Sequence, residues 1–100
     1  MATRSRRLSQ QAIQVLGALA NKRGGWLYGL QVAAATELKS GSLYPILIRL
    51  CERGLLESKW IEPEYAGRPA RHAYRITGAG RAALAEALTS PVTRLRGALA

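Results

Sequence analysis

Apolar residues at Ala12, Ile13, Leu16, Leu19 and Ala20 recur at steps of three and four, so they share one face of a helix. Ser9 is a residue type that caps helix starts, and it predicts a helix from there to about Ala20. Asn21 to Gly25 reads as a loop. A second, shorter helix is expected from Tyr28 to about Thr36, with Leu30, Ala33 and Ala34 turned inward. Glu37-Leu38-Lys39 joins it tightly to a third helix, whose Leu43, Leu47 and Leu50 make the inner face with Ile46 beside them. That helix stops at Gly54, which suits the left-handed turn just past a helix end. Its start falls between Ser40 and Ser42. With Ser40 as the cap, Pro45 lies past the first turn and costs a hydrogen bond; with Ser42 as the cap, the missing N–H matters little.

Beyond Gly54 the period changes to two. Leu56, Ser58 and Trp60 alternate with Glu57, Lys59 and Ile61, and a second alternating run spans 72–77, where Tyr74 and Ile76 point the same way. The stretch 62–71 is rich in Pro and Gly and too long for a two-residue turn, so the pattern predicts a β-hairpin with an extended loop. Thr77 caps a fourth helix, Gly78 to about Thr89, and Ser90-Pro91 is a fresh start signal. The order α-α-α-β-β-α, mainly helical with one small hairpin, is a winged helix-turn-helix layout. Residues 1–7 are then a basic arm and 8–77 the winged domain. Within it, the second and third helices form the helix-turn-helix and the hairpin loop is the wing. Residues 78–100 make a C-terminal helical segment.

Charge narrows the partner. The 100 residues make one domain, with 15 Lys+Arg against 6 Asp+Glu, no Asp at all, and a net charge of +9. Such a surplus draws polyanions and is the electrostatic footprint of nucleic-acid binding; its bland counterpart is a solvated basic surface. Cys51 is the single cysteine, so no internal disulfide can form. His72 is the single histidine, and with only Cys51 to join it a zinc site lacks ligands. Without Asp there is no Ser-His-Asp set, and no P-loop or dinucleotide glycine pattern occurs, so neither an enzyme nor a cofactor is expected. No apolar run approaches the ~18 residues of a membrane span. Gln10, Gln11 and Gln14 break the stretch that follows the basic start, unlike a signal-peptide core. A soluble, cytoplasmic chain away from membranes is the expectation.

In a helix-turn-helix the second helix of the pair enters the major groove. Here its outward face carries Gly41, Pro45, Ile48, Arg49 and Glu52, with Ser42 and Tyr44 at the edges. Ser40, Gly41 and Ser42, with the backbone N–H groups of a helix start, suit phosphate oxygens, and Lys39 adds a point charge. Tyr44 can donate its hydroxyl to a phosphate or pack on a base edge, and Arg49 can reach a guanine or a phosphate. The alternatives are ordinary capping and packing for Ser42 and Tyr44, and a solvated charge for Arg49. On the wing, Arg68, Arg71 and His72, with Gly67 and Pro69 shaping the tip, suit the minor groove; the alternative is a mobile loop with solvated charges. Trp26 and Trp60 read as core or interface anchors, or as walls of a flat pocket between subunits. Leu84, Leu88, Val92, Leu95 and Leu99 form a stripe that either pairs with a second subunit or packs along the first helix of the same chain. A dimer suits a DNA reader, because two half-sites one helical turn apart match a two-fold protein.

The segments Tyr28-Gly29-Leu30, Ser40-Gly41-Ser42-Leu43-Tyr44-Pro45, Arg49-Leu50 and Arg53-Gly54-Leu55-Leu56 resemble the PadR family of transcriptional regulators. So do Gly67-Arg68-Pro69, Tyr74-Arg75-Ile76-Thr77 and Gly80-Arg81, and the likeness runs from about Ile13 to Leu84. The resemblance implies a homodimeric winged-helix repressor on double-stranded operator DNA. It also implies that Tyr28, Ser42, Tyr44 and Arg68 are among the contacts, and that the C-terminal helix drives dimerisation. Some members respond to aromatic small molecules, so such an effector is a further implication. The chain departs from the family in a short C-terminal part interrupted by Pro91. The rival reading is a winged-helix module that binds protein or RNA, and steep salt dependence on a duplex separates the two.

Overall fold

In the computed structural model of the chain, residues 8–22, 25–63 and 65–89 are described. The expected basic arm at 1–7, the restart at Ser90-Pro91, and Val92, Leu95 and Leu99 lie outside them. The elements are α1 (Gln10–Ala20), β1 (Leu27–Tyr28), α2 (Gly29–Thr36), α3 (Ser40–Glu52), β2 (Leu56–Ile61), β3 (Arg71–Ile76) and α4 (Gly78–Leu88). Helices and hairpin follow the expected winged layout. The addition is β1, which pairs with β3 through Leu27↔Tyr74 and Tyr28↔Ala73 and completes an antiparallel sheet of order β1-β3-β2. A two-residue strand has no period of its own, so only its partner reveals it.

Local chemistry explains the boundaries. The Ser9 hydroxyl accepts the Ala12 N–H at 3.0 Å, satisfying one of the donors that a helix start leaves open. The Tyr28 N–H donates to Gln31 Oε1 at 2.8 Å at the entry to α2. Glu37 ends α2 in the left-handed region, φ 61°, with its N–H on the Ala33 carbonyl at 2.7 Å. At the end of α3, Gly54 has φ 76°, and the N–H groups of Gly54 and Leu55 return to the carbonyls of Cys51 and Leu50, both at 3.0 Å. This double return is the Schellman arrangement, which admits glycine without a Cβ penalty. Thr77 then ties the last helix to that turn. Its hydroxyl accepts the Gly80 N–H at 2.9 Å and donates to the Gly54 carbonyl at 2.8 Å.

Helix α3 begins at Ser40 with Lys39 in the capping position and no side-chain cap, so neither serine caps it. Pro45 is consequently the sixth residue of the helix, and the Gly41 carbonyl loses its N–H partner. The helix tolerates that loss, because its inner face is firmly held. Leu43, Leu47 and Leu50 are at most 2% exposed, and a fully buried leucine contributes about 1.5–3 kcal/mol against a net hydrogen bond of about 1 kcal/mol.

The core joins Ala12, Val15, Leu16 and Leu19 of α1, Val32 of α2, the three α3 leucines, and Leu55, Leu56, Tyr74 and Ile76. In α2 the inward face differs from expectation: Gly29 and Val32 are buried, while Leu30 is 75% exposed and Ala34 is exposed. On so short a helix, two apolar sets spaced by three and four compete. Contact with α1 and α3 selects the one containing Val32 and Ala33. Trp60 is likewise not a core anchor, being 64% exposed.

Candidate nucleic-acid interface

Helix α3 turns its leucines into the core and leaves the opposite side bare. Gly41, Ser42, Tyr44, Pro45, Ile48, Arg49 and Glu52 are all exposed, as are Lys39 and Ser40 at its start. No side chain caps the start of α3, where the Ser42 and Leu43 N–H groups both donate to the Lys39 carbonyl, and Lys39, Ser40 and Ser42 stand exposed together. This is a favourable seat for an anion.

Tyr44 lies across the first residue of α2. A Cβ on Gly29 would meet its hydroxyl, so the ring approaches the helix closely there and would have to shift for any larger residue. A cavity of about 260 Å³ opens beside this contact, lined by Tyr28, Gly29, Leu30, Gln31, Tyr44, Arg71 and His72. Three expected contact residues, Tyr28, Tyr44 and Arg71, thus meet around one concavity although they are far apart in the chain. Arg71 extends β3 by pairing with Ile61, one residue earlier than the hairpin loop was expected to end. The strand places its guanidinium 4.5 Å from the Tyr28 ring centre, a cation–π contact that links the wing to the helix-turn-helix. Arg68 stays apart, exposed at the wing turn, where Gly67 has φ 89° and the Arg68 N–H reaches the Tyr65 carbonyl at 3.4 Å. Arg49 is also separate, beside Leu8, Ser9 and Arg53 around a cavity of about 100 Å³.

The sheet adds contacts that no sequence period announces. Trp26 receives Lys59 Nζ at 4.3 Å and the Arg75 guanidinium at 4.5 Å from its ring centre. Arg75 also holds Glu57 through hydrogen bonds of 2.8 and 3.1 Å. Trp60 stacks on His72, its cross-strand partner, with ring centres 4.4 Å apart and planes 11° from parallel. The Tyr74 hydroxyl and His72 Nδ1 are 3.2 Å apart. Register was the missing signal: once Leu56 is set against Ile76, Trp60 must face His72. Cys51 stands aside from this surface. Burial pushes its thiol up from the usual range and a Ser58 hydrogen bond pulls it back, so burial keeps it a poor nucleophile. Among the described residues no cluster of three His, Cys, Asp or Glu could hold a metal ion, and no helix is long and apolar enough to cross a membrane.

Residues 15–86 match the model of the Transcriptional regulator PadR-like family. The chain belongs to this family. Solved structures agree in fold. A PadR-like transcription factor from Bacteroides fragilis is 25% identical, with a TM-score of 0.69 over 88% of this chain and 84% of that one. A PadR family transcriptional regulator from Eggerthella lenta is 27% identical, with a TM-score of 0.66 over 84% of this chain and 76% of that one. A PadR family regulator from Clostridium difficile shares the fold at 21% identity, with a TM-score of 0.70 over 91% and 94% of the two chains. No curated protein matches the chain.

Of the expected leucine stripe in this PadR-like chain, Leu84 and Leu88 lie among the described residues. Leu84 is half-buried against the core of its own chain, while Leu88 is 51% exposed. Leu84 therefore already has apolar neighbours within the chain, and Leu88 presents an apolar surface at the end of α4.

Proposed function

We propose that this PadR-like chain binds a specific operator in duplex DNA and represses transcription as a homodimer. One observation carries the reading: the face of α3 opposite its buried leucines is wholly exposed, and Tyr44 of that helix lines one concavity with Tyr28 and Arg71. B-DNA's major groove, about 12 Å wide, accepts one helix. In that placement Lys39, Ser40, Gly41 and Ser42 meet phosphate through side chains and backbone N–H groups. Tyr44 and Arg49 flank the base edges. Arg71, steadied on Tyr28, meets the backbone, and Arg68 at the wing turn enters the minor groove. Leu88 begins the apolar stripe that pairs two subunits, continued by Val92, Leu95 and Leu99, with Leu84 at its inner margin. An aromatic small molecule that releases the DNA completes the proposed cycle.

Fluorescence anisotropy on a duplex from upstream of the chain's own gene tests this across a salt series. The expected result is a log affinity that falls linearly with log salt, with a slope set by the number of phosphates contacted. A flat dependence, or tighter binding to single-stranded RNA, overturns it. Sedimentation of the Leu88→Glu, Leu95→Glu double variant tests the interface. Monomers are expected, and an intact dimer places the interface elsewhere.

A further inference from the structure

The centre line of the outward face of α3 runs through Gly41, Pro45, Ile48 and Glu52, spaced by four, three and four and opposite the buried leucines. All four are exposed, and Ile48 keeps 57% of its surface open to solvent. None of these side chains can donate a hydrogen bond: the first three carry no polar group, and an ionised Glu52 only accepts. The donors Ser42, Tyr44 and Arg49 flank the line. A helix laid in the major groove presents its centre line to the base edges, where guanine and adenine offer acceptors and thymine offers a C5-methyl group. A line without donors cannot answer those acceptors. Glu52, at the far end, can accept from cytosine N4 or adenine N6, and the thymine methyl is the feature that the apolar part of the line fits.

Gly41 supports this independently. A Cβ built there meets nothing within 4 Å, and its φ is not among the positive values, whereas one at Gly29 would meet the Tyr44 hydroxyl. The fold therefore does not ask for glycine at 41, and glycine weakens a helix relative to alanine. What its missing side chain leaves is a bare first turn on the outward side, where another surface can come close to the backbone.

We infer that α3 reads thymine: Ile48, with Pro45 beside it, packs on a thymine C5-methyl in the major groove, and Gly41 lets the first turn settle against the duplex. This rests on the proposed DNA binding and states what that site recognises. The test uses the full chain and a duplex that it selects from a randomised pool, remade with deoxyuridine replacing one thymine at a time. The wild type loses about four-fold in affinity at one thymine per half-site, the size expected for one buried methyl group. Ile48→Ala, which remains folded, binds the thymine and deoxyuridine duplexes equally. Gly41→Ala unfolds at a higher temperature yet binds the selected duplex more weakly. No sensitive thymine in the wild type, an undiminished thymine preference in Ile48→Ala, or full affinity in Gly41→Ala overturns the inference while leaving DNA binding in place. Failure to select any duplex removes the DNA-binding reading itself, and this inference with it.

Discussion

The two sides of α3 answer to different demands. Its inner side, Leu43, Leu47 and Leu50, is buried against α1, α2 and the sheet, and each of these residues is explained by the volume it fills. Its outer side combines a glycine, a proline, an isoleucine and an exposed tyrosine, and no packing within the chain requires most of them. Tyr44 is the exception, since it both touches Gly29 and stays 38% exposed. The contrast separates residues that make the fold from residues that use it. On the outer side, Gly41 and the exposed Ile48 answer to no close neighbour within the chain.

Substitutions on the two sides should therefore fail differently. Leu47→Ala on the inner side should cost about 2–5 kcal/mol in urea unfolding, because the site is fully enclosed and collapses poorly. A cost under about 1 kcal/mol would mean that this face is less enclosed than its burial indicates. Tyr44→Ala on the outer side should weaken binding to the selected duplex by about ten-fold, about 1.4 kcal/mol, while unfolding stays cooperative. Unchanged affinity would remove Tyr44 from the interface. Gly54→Ala, at the end of the same helix, should cost about 1 kcal/mol of stability from the left-handed conformation alone and leave intrinsic DNA affinity untouched. The smallest effect is expected beneath the wing. Burial raises the Tyr74 hydroxyl pKa above its ordinary value. The stability held by its neutral form is complete below the unfolded value of about 10 and is lost as pH rises through the higher folded value. Urea midpoints from about pH 8 to 11 should fall less steeply in Tyr74→Phe than in the wild type; parallel curves would assign the loss to other groups.

Much of the scaffold was legible in the chain because it rests on short-range chemistry. Ser9, Gly54 and Thr77 act within a few residues of where they stand, and each appears at the helix boundary expected of it. The leucines of α3 declare their face through helical spacing. Other features depend on neighbours distant in sequence. Lys39, not a serine, occupies the start of α3, where its carbonyl takes the Ser42 and Leu43 N–H groups. Leu30 is apolar and suitably spaced, yet Val32 took the inward place. Of the candidate site, the exposed serines, Tyr44 and Arg49 were legible from the helical wheel of α3. The meeting of Tyr28 with Arg71 was not, since it needs β3 to run one residue further and β1 to lie beside it.

The sequence by itself determined the order of the helices and the hairpin, the caps at Ser9, Gly54 and Thr77, the basic surplus and the outward residues of α3. These follow from periodicity and side-chain chemistry within a few residues of each position. Only the tertiary structure decided which face of α2 is buried, that Trp60 lies open against His72, and that Trp26 gathers Lys59 and Arg75. Those outcomes depend on helix crossings and strand register. Both are settled by how the whole core closes, and no local pattern carries that information.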